Sequence, residues 1–304
     1  MEEFKISKEA VKMYKTILQY IFRVHKTLEK DAAIDPSKSF ELARQALELM
    51  KKSKDLMYFA IHYFDKNDLT VSHAANVSIL ASTLALGLGA SEEELIFILA
   101  AGFLHDIGVV KLGKNIINKK PSEISEKDIE EFKAHSKLGY ESIIKHTKES
   151  EKLAEIIFQH HERCDGSGYP TKNKKSKLYC ESRLLSLLDV YESLIHPREH
   201  RDTLAPPMGI DEILRNQAKS FDPKLMKGLL QDISIFPFGC YVKMNSNKIG
   251  RIIATHKNNP LRPDVLIEYN SDGQKIKPEV VKLIDDHLQR IIECVPPPNF
   301  KKTD

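Results

Sequence analysis

Apolar residues recur along the first sixty positions at the three- and four-residue spacing of a helix that buries one face. Ile17, Leu18, Ile21, Phe22, Val24 and Leu28 make one stripe; Leu42, Ala46, Leu49, Met50, Leu56, Met57, Ala60 and Ile61 make a second. The pattern predicts two long amphipathic helices. Asp35 would cap the second with Pro36 at its first position, and residues 64–68 would break it. Helical signals continue from residue 72 to about 221, with no strand alternation. Ser91 with Glu94, and Ser125 with Asp128, read as capping boxes. After residue 235 the texture changes to short β-type runs at 241–244, 249–255 and 265–269, separated by Asn-, Pro- and Gly-bearing turns. The expectation is a mostly α chain, a helical bundle with N-terminal helices and a small C-terminal β appendage. A helix around 280–292 would close the appendage. The divisions fall at 1–66, 67–234 and 235–304.

Composition narrows the classes. The chain has 304 residues, 41% of them hydrophobic, enough for a sizeable core. Charged residues make up 29% with a net charge of only +3, which argues against a partner such as a DNA or RNA polymer. A small anion held in a local basic cleft remains compatible. The first residues show neither a basic leader nor an apolar signal core. The most apolar stretch, 77–104, is cut by Ser91-Glu92-Glu93-Glu94 into halves shorter than the roughly 20 residues of a membrane span. Four cysteines without CxxC spacing suggest neither a disulfide framework nor a zinc knuckle. A cytoplasmic protein without membrane insertion is expected.

The candidate chemistry begins at His105-Asp106, where an apolar helix ends before Gly108. Alone the pair is weak, because a buried histidine held by a neighbouring carboxylate gives the same dipeptide. Its company is His73, His135, the pair His160-His161, and Asp189, on successive helices. Metal sites in bundles are built from such inward-facing side chains. Imidazole and carboxylate without thiolate suit iron, manganese or zinc rather than calcium. A two-metal reading makes Asp106 the bridge, gives one cation His73, His105 and Asp189, and gives the other His135, His160 and His161. Adjacent helical residues point about 100° apart, so His160 and His161 converge only at a helix end, and they sit just before a glycine loop. On these residues alone, a metal centre and a set of scattered histidines are equally good readings.

Two motifs add a resemblance. Leu104-His105-Asp106-Ile107-Gly108 is similar to the LHDIG signature of HD-domain phosphohydrolases. Residues 160–170, HHERCDGSGYP, match the HHExxDGxGYP signature of the HD-GYP subfamily. The likeness covers roughly residues 72–230. It implies an HD-type bundle with a binuclear or trinuclear centre, of iron or manganese most often, with zinc, nickel or magnesium admitted. It also implies hydrolysis of cyclic di-GMP, through pGpG, to GMP by a metal-bridging hydroxide. The family's ligands fall on His73, His105, Asp106, His135, His160, His161 and Asp189, with His105 and Asp106 also counted as catalytic. Its basic phosphate clamp falls on Arg198 and Arg201, apt for a doubly anionic ring. Asp165, Gly168 and Tyr169 would shape the substrate rim, Tyr169 either against a base or as an anchor of the loop.

Departures from the family pattern qualify this. Leu69 stands where three-metal members carry a glutamate four residues before the first histidine, which favours two ions. Val109 replaces the usual lysine after HDIG, and the nearest lysine, Lys111, two positions on and so not in the same place, is the remaining candidate for a catalytic cation. Loss of such a cation costs about 2.7–4 kcal/mol in comparable sites, a few hundredfold in rate. Glu192 alters the surroundings of Asp189. The expected function is a cyclic di-GMP phosphodiesterase. The alternative is a catalytically weak cyclic di-GMP receptor signalling through its N-terminal helices, and less favoured are an HD nucleotide phosphatase or iron oxygenase. The N-terminal stripes require a partner face, as a sensor, a lid or a homodimer interface.

Overall fold

The computed structural model describes residues 5–66, 68–112, 123, 125–145, 147–197 and 202–297. Three helices, not two, open the chain: α1 Lys8–Leu28, α2 Ser37–Met50 and α3 Asp55–His62. The second stripe is divided because Lys51, Lys52, Ser53 and Lys54 turn the chain, and Asp55 N–H donates to the Ser53 hydroxyl. Helix α2 starts one residue later than expected, with Pro36 and not Asp35 at its N-cap position, and the Asp35 carboxylate accepts the Ser37 N–H at 2.9 Å just ahead of it.

The bundle continues with α4 Leu69–Gly87, α5 Glu92–Leu104, a 3-10 turn Ile107–Lys111, α6 Glu126–Lys133, α7 His135–Ser142, α8 Lys148–Gln159, α9 Cys180–Ile195, α10 Pro206–Asn216 and α11 Pro223–Gly228. Both predicted capping boxes form, at Ser91/Glu94 and Ser125/Asp128. A third, Thr147/Ser150, opens α8. Helix α4 is buried on nearly every side, which makes it the centre of the bundle. By length and composition it is apolar enough to cross a membrane, yet most of it lies inside the fold. Helix α1 packs on α4 and on the 3-10 turn, and α2 packs on α5. Tyr14, Ile17, Ile21, Val24 and Leu28 thereby join one core with Leu80, Leu99 and Leu188. The face the N-terminal stripes require is present within this chain.

The C-terminal region is a five-stranded antiparallel sheet of order β4-β3-β2-β1-β5, with β1 Tyr241–Met244, β2 Ile249–Ala254, β3 Asp264–Tyr269, β4 Lys275–Lys282 and β5 Ile291–Cys294. The expected terminal helix around 280–292 is therefore wrong. Residues 275–282 alternate as a strand instead, and Pro278 is tolerated because β4 is an edge. The turn between β4 and β5 carries Ile284 and Leu288, whose spacing mimics a helix face.

Candidate metal centre

Five pieces of the bundle deliver seven side chains to one place. Helix α4 carries His73, the end of α5 carries His105 and Asp106, α7 begins with His135, His160 and His161 follow α8, and α9 carries Asp189. The Asp106 carboxylate stands between two groups of imidazoles. Its Oδ2 lies 3.6 Å from His73 Nε2 and 3.5 Å from His105 Nε2. Its Oδ1 lies 3.4 Å from both His135 Nε2 and His160 Nε2. Asp189 spans the other side, with Oδ1 3.1 Å from His73 Nε2 and Oδ2 3.4 Å from His161 Nδ1. Donor atoms of His73, His105 and Asp189 form one cluster, and those of Asp106, His135, His160 and His161 form the other.

The backbone fixes how three of the rings point. His105 Nδ1 lies 2.8 Å from Gly102 O, His135 Nδ1 2.7 Å from Phe132 O, and His160 Nδ1 2.5 Å from Ile157 O. A carbonyl only accepts, so each Nδ1 carries the proton and each Nε2 presents a bare lone pair to the centre. His135 Nε2 and His160 Nε2 then face each other at 3.3 Å, lone pair to lone pair. His105 Nε2 is buried with no hydrogen-bond partner. Unprotonated nitrogens crowded round two carboxylates are unfavourable unless a cation lies among them. Each of the two clusters could hold a metal ion.

Electrostatics agree. Burial pushes the His105 imidazole down to about 4 and also lowers His135 and His161. Burial would raise Asp106 and Asp189, but the imidazoles around them hold both below the usual carboxylate range. Neutral rings and ionised carboxylates are the states that ligate metal. A prediction follows for the metal-free protein. Histidine titrates near 6.5 when unfolded, so as pH falls the unfolded chain binds protons before folded His105 does. Stability is whole above about pH 6.5 and drains away towards pH 4. Thermal melts with chelator at pH 7.5, 6 and 5 should fall stepwise; a flat series would contradict the buried neutral cluster.

Glycines let the pieces approach. A Cβ on Gly108 would lie 1.9 Å from His135 O and 2.5 Å from Gly139 N, so only glycine lets the 3-10 turn meet α7 and set Asp106 beside His135. In the loop after His161, a Cβ on Gly168 would meet His161 O at 2.4 Å and Arg163 N at 2.5 Å. Buried Glu162 ties that loop together, accepting from Thr171 N–H and hydroxyl at 2.6 Å each and from Asn173 N–H at 3.1 Å. Asp165 is exposed and accepts from the Ser167 N–H at 2.9 Å, so its carboxylate shapes the turn. Tyr169 stacks on His161, ring centroids 4.7 Å apart.

Val109 is buried, 7% exposed, and Lys111 is exposed at the end of the 3-10 turn. Leu69 is the first residue of α4, and neighbouring Asp68 caps that helix, accepting from Val71 N–H at 3.2 Å. Arg198 and Arg201 lie outside the described residues.

Three roles escaped the sequence. Glu192 meets His73 Nδ1 through its Oε2, as the carboxylate behind a ligand. It lies three residues after Asp189, on the same face of α9, and that spacing was the available signal. Asn76 stands in the same relation to His73 on α4. Buried His25 of α1 lies in the field of Asp68 and Asp106; burial lowers it and those carboxylates oppose the shift.

Known proteins resemble this chain in both regions. A family model described as "HD domain" matches residues 62–225, and one described as "KOW domain associated with HD domain" matches residues 241–302. The chain is 23% identical over 252 residues to a cyclic di-GMP phosphodiesterase of Pseudomonas aeruginosa, covering 82% of this chain and 60% of that one. It is 24% identical over 244 residues to a cyclic di-GMP phosphodiesterase of Borreliella burgdorferi, covering 80% and 61%. A 3'3'-cGAMP-specific phosphodiesterase of Vibrio cholerae is 27% identical over 195 residues, 64% of this chain and 37% of that one. The chain thus spans about three fifths or less of the length of these relatives. Among solved structures, an HDG"Y"P protein from Bdellovibrio bacteriovorus shares the fold, with a TM-score of 0.59 at 16% identity over 72% of this chain and 70% of that one.

Proposed function

This chain belongs to the HD-GYP family of HD-domain proteins, and from that premise we propose that it is a cytoplasmic, metal-dependent phosphodiesterase that opens cyclic di-GMP to pGpG and then GMP. The observation that carries the proposal is the Asp106 carboxylate, each oxygen turned to a different set of imidazoles. His73, His105 and Asp189 would hold one cation and His135, His160 and His161 the other, with Asp106 shared. Iron or manganese suits these donors best. When bound, the pair supplies Lewis acidity and an activated water.

The chain's own residues do the rest. His105, His135 and His160 keep their single protons on backbone carbonyls, so they act as ligands and not as proton donors. Tyr169 and the loop tied by Glu162 wall the His161 side. Arg198 and Arg201 are assigned to the phosphates of the ring, and exposed Lys111 to a supporting phosphate contact. Water adds to one phosphorus, the P–O3′ bond breaks, and the departing oxygen takes a proton, giving linear pGpG. A second hydrolysis divides pGpG into two GMP.

Protein loaded with manganese or, anaerobically, with iron should convert cyclic di-GMP to pGpG or GMP on chromatography, and an Asp106→Ala control should not. A parallel reaction with 3'3'-cGAMP decides the ring's second base, since relatives are named for both ligands. No nucleotide product from either ring under either metal would remove the enzyme reading. One observation favours a second reading: position 109 is an apolar, buried valine where a phosphate-facing cation is usual. Tight binding of cyclic di-GMP without turnover would select a receptor.

A further inference from the structure

The rings of the centre are not all held in the same way. His105, His135 and His160 each rest on a carbonyl of their own helical turn. His73 instead directs Nδ1 at the Glu192 carboxylate, which arrives from another helix. A carboxylate in that place fixes the tautomer and raises the basicity of the ligating nitrogen, but only if it is itself held. Glu192 is held by Asn76. Its Oε1 accepts from Asn76 Nδ2 at 3.1 Å, and His196 Nδ1 lies 3.0 Å from the same oxygen without hydrogen-bond geometry.

The Asn76 amide has one orientation that works. Its Nδ2 also donates to Tyr63 O at 2.9 Å, and its Oδ1 accepts from the Tyr14 hydroxyl at 2.7 Å. A flipped amide would set its oxygen against Glu192 and the Tyr63 carbonyl, acceptor against acceptors. Tyr14 therefore supports the orientation that serves Glu192. It is itself wedged between Phe59, stacked at 4.8 Å, and Tyr63, edge-on at 5.3 Å. Tyr14, Asn76, Glu192 and His73 are each at most 4% exposed, and such closed polar chains are cooperative. Tyr14 belongs to α1, which lies before the segment that the HD family model matches.

We propose that Tyr14, Asn76 and Glu192 form a buried positioning relay that seats the His73 ring, so that the first helix is an integral part of the metal centre. The proposal rests on the reading of His73 as a metal ligand. Movement of α1 would act on the centre through the Tyr14 hydroxyl, a route by which an input to the N-terminal helices reaches the site.

The test compares the 304-residue wild type with Tyr14→Phe and Glu192→Gln. Manganese affinity is measured by calorimetry on the metal-free proteins, with thermal melts recorded alongside. Glu192→Gln should lose about 10- to 100-fold in affinity. Tyr14→Phe removes one oxygen and should lose roughly 3- to 10-fold. A second readout needs no metal: nitrogen NMR of the His73 ring should show a proton on Nδ1 in the wild type and a mixture of tautomers in Glu192→Gln. Affinity and tautomer unchanged in both variants, with only the melting point lowered, would reduce the three residues to packing and overturn the relay. A protein that binds manganese but releases no nucleotide product fails the phosphodiesterase reading and leaves the relay intact. A wild type that binds neither manganese nor, anaerobically, iron removes the metal reading and overturns the relay with it.

Discussion

Asp106→Ala is expected to remove hydrolysis and to strip the protein of stoichiometric metal while leaving it folded. Each of the two Asp106 oxygens faces two imidazoles of a different set, at 3.4–3.6 Å, whereas Asp189 meets one ring of each set. Loss of Asp106 leaves neutral rings and Asp189 as the remaining carboxylate among the seven proposed ligands. Charge stabilisation and water activation by the cations are worth several kcal/mol, so the rate should fall by at least about 10³-fold. Metal-free stability near neutral pH should hold or fall, because the imidazoles hold Asp106 below the usual carboxylate range and its charged form therefore favours the folded state. Elemental analysis and a melt of the same sample check both halves. A variant that retains two equivalents of metal would show that Asp106 does not bridge.

Gly108→Ala is expected to damage the fold and the site together. The new Cβ would lie 1.9 Å from His135 O and 2.5 Å from Gly139 N, and backbone on both contacts cannot swing aside. Overpacking of this kind costs typically 1–3 kcal/mol, and the upper end applies here, about 3 kcal/mol. At about 2–4 °C per kcal/mol for a large domain, the melting point should fall by roughly 6–12 °C. The turn that carries Asp106 would also lift from α7, so metal affinity should fall with it. Gly139→Ala is the control, because its nearest neighbour is a methyl of Ile157, 2.9 Å away, that can shift. Equal melting points for the two variants would contradict the close-approach argument.

Much of the bundle was legible because its signals are local. A capping box is read within four residues, and Ser91/Glu94 and Ser125/Asp128 form where the spacing places them. The grouping of histidines was legible for a related reason. Asp106, His135, His160 and His161 stand at helix ends, where adjacent residues escape the 100° divergence of a helix interior.

What failed depended on partners distant in sequence. The 280–292 segment carries Val280, Val281, Ile284, Leu288, Ile291 and Ile292 at helix-like spacing, yet pairing with β3 and β1 makes its two ends strands. Residues 51–54 divide a stripe whose period hardly breaks, because a two-helix corner needs only a few polar residues. Glu192 read as an altered neighbour of Asp189, and only the meeting of α9 with α4 shows it behind His73. Tyr14 sits 62 positions from Asn76, and no local pattern links them. Val109 was legible as a departure; that it is buried was not.

In the proposed centre one carboxylate would divide two cations among seven side chains. Anomalous diffraction at the manganese edge, on crystals of manganese-loaded protein, tests it most directly. The account predicts two peaks, one between His73, His105 and Asp189, the other between His135, His160 and His161, with an Asp106 oxygen on each. A single peak that leaves one Asp106 oxygen unligated, or peaks away from these imidazoles, would contradict it.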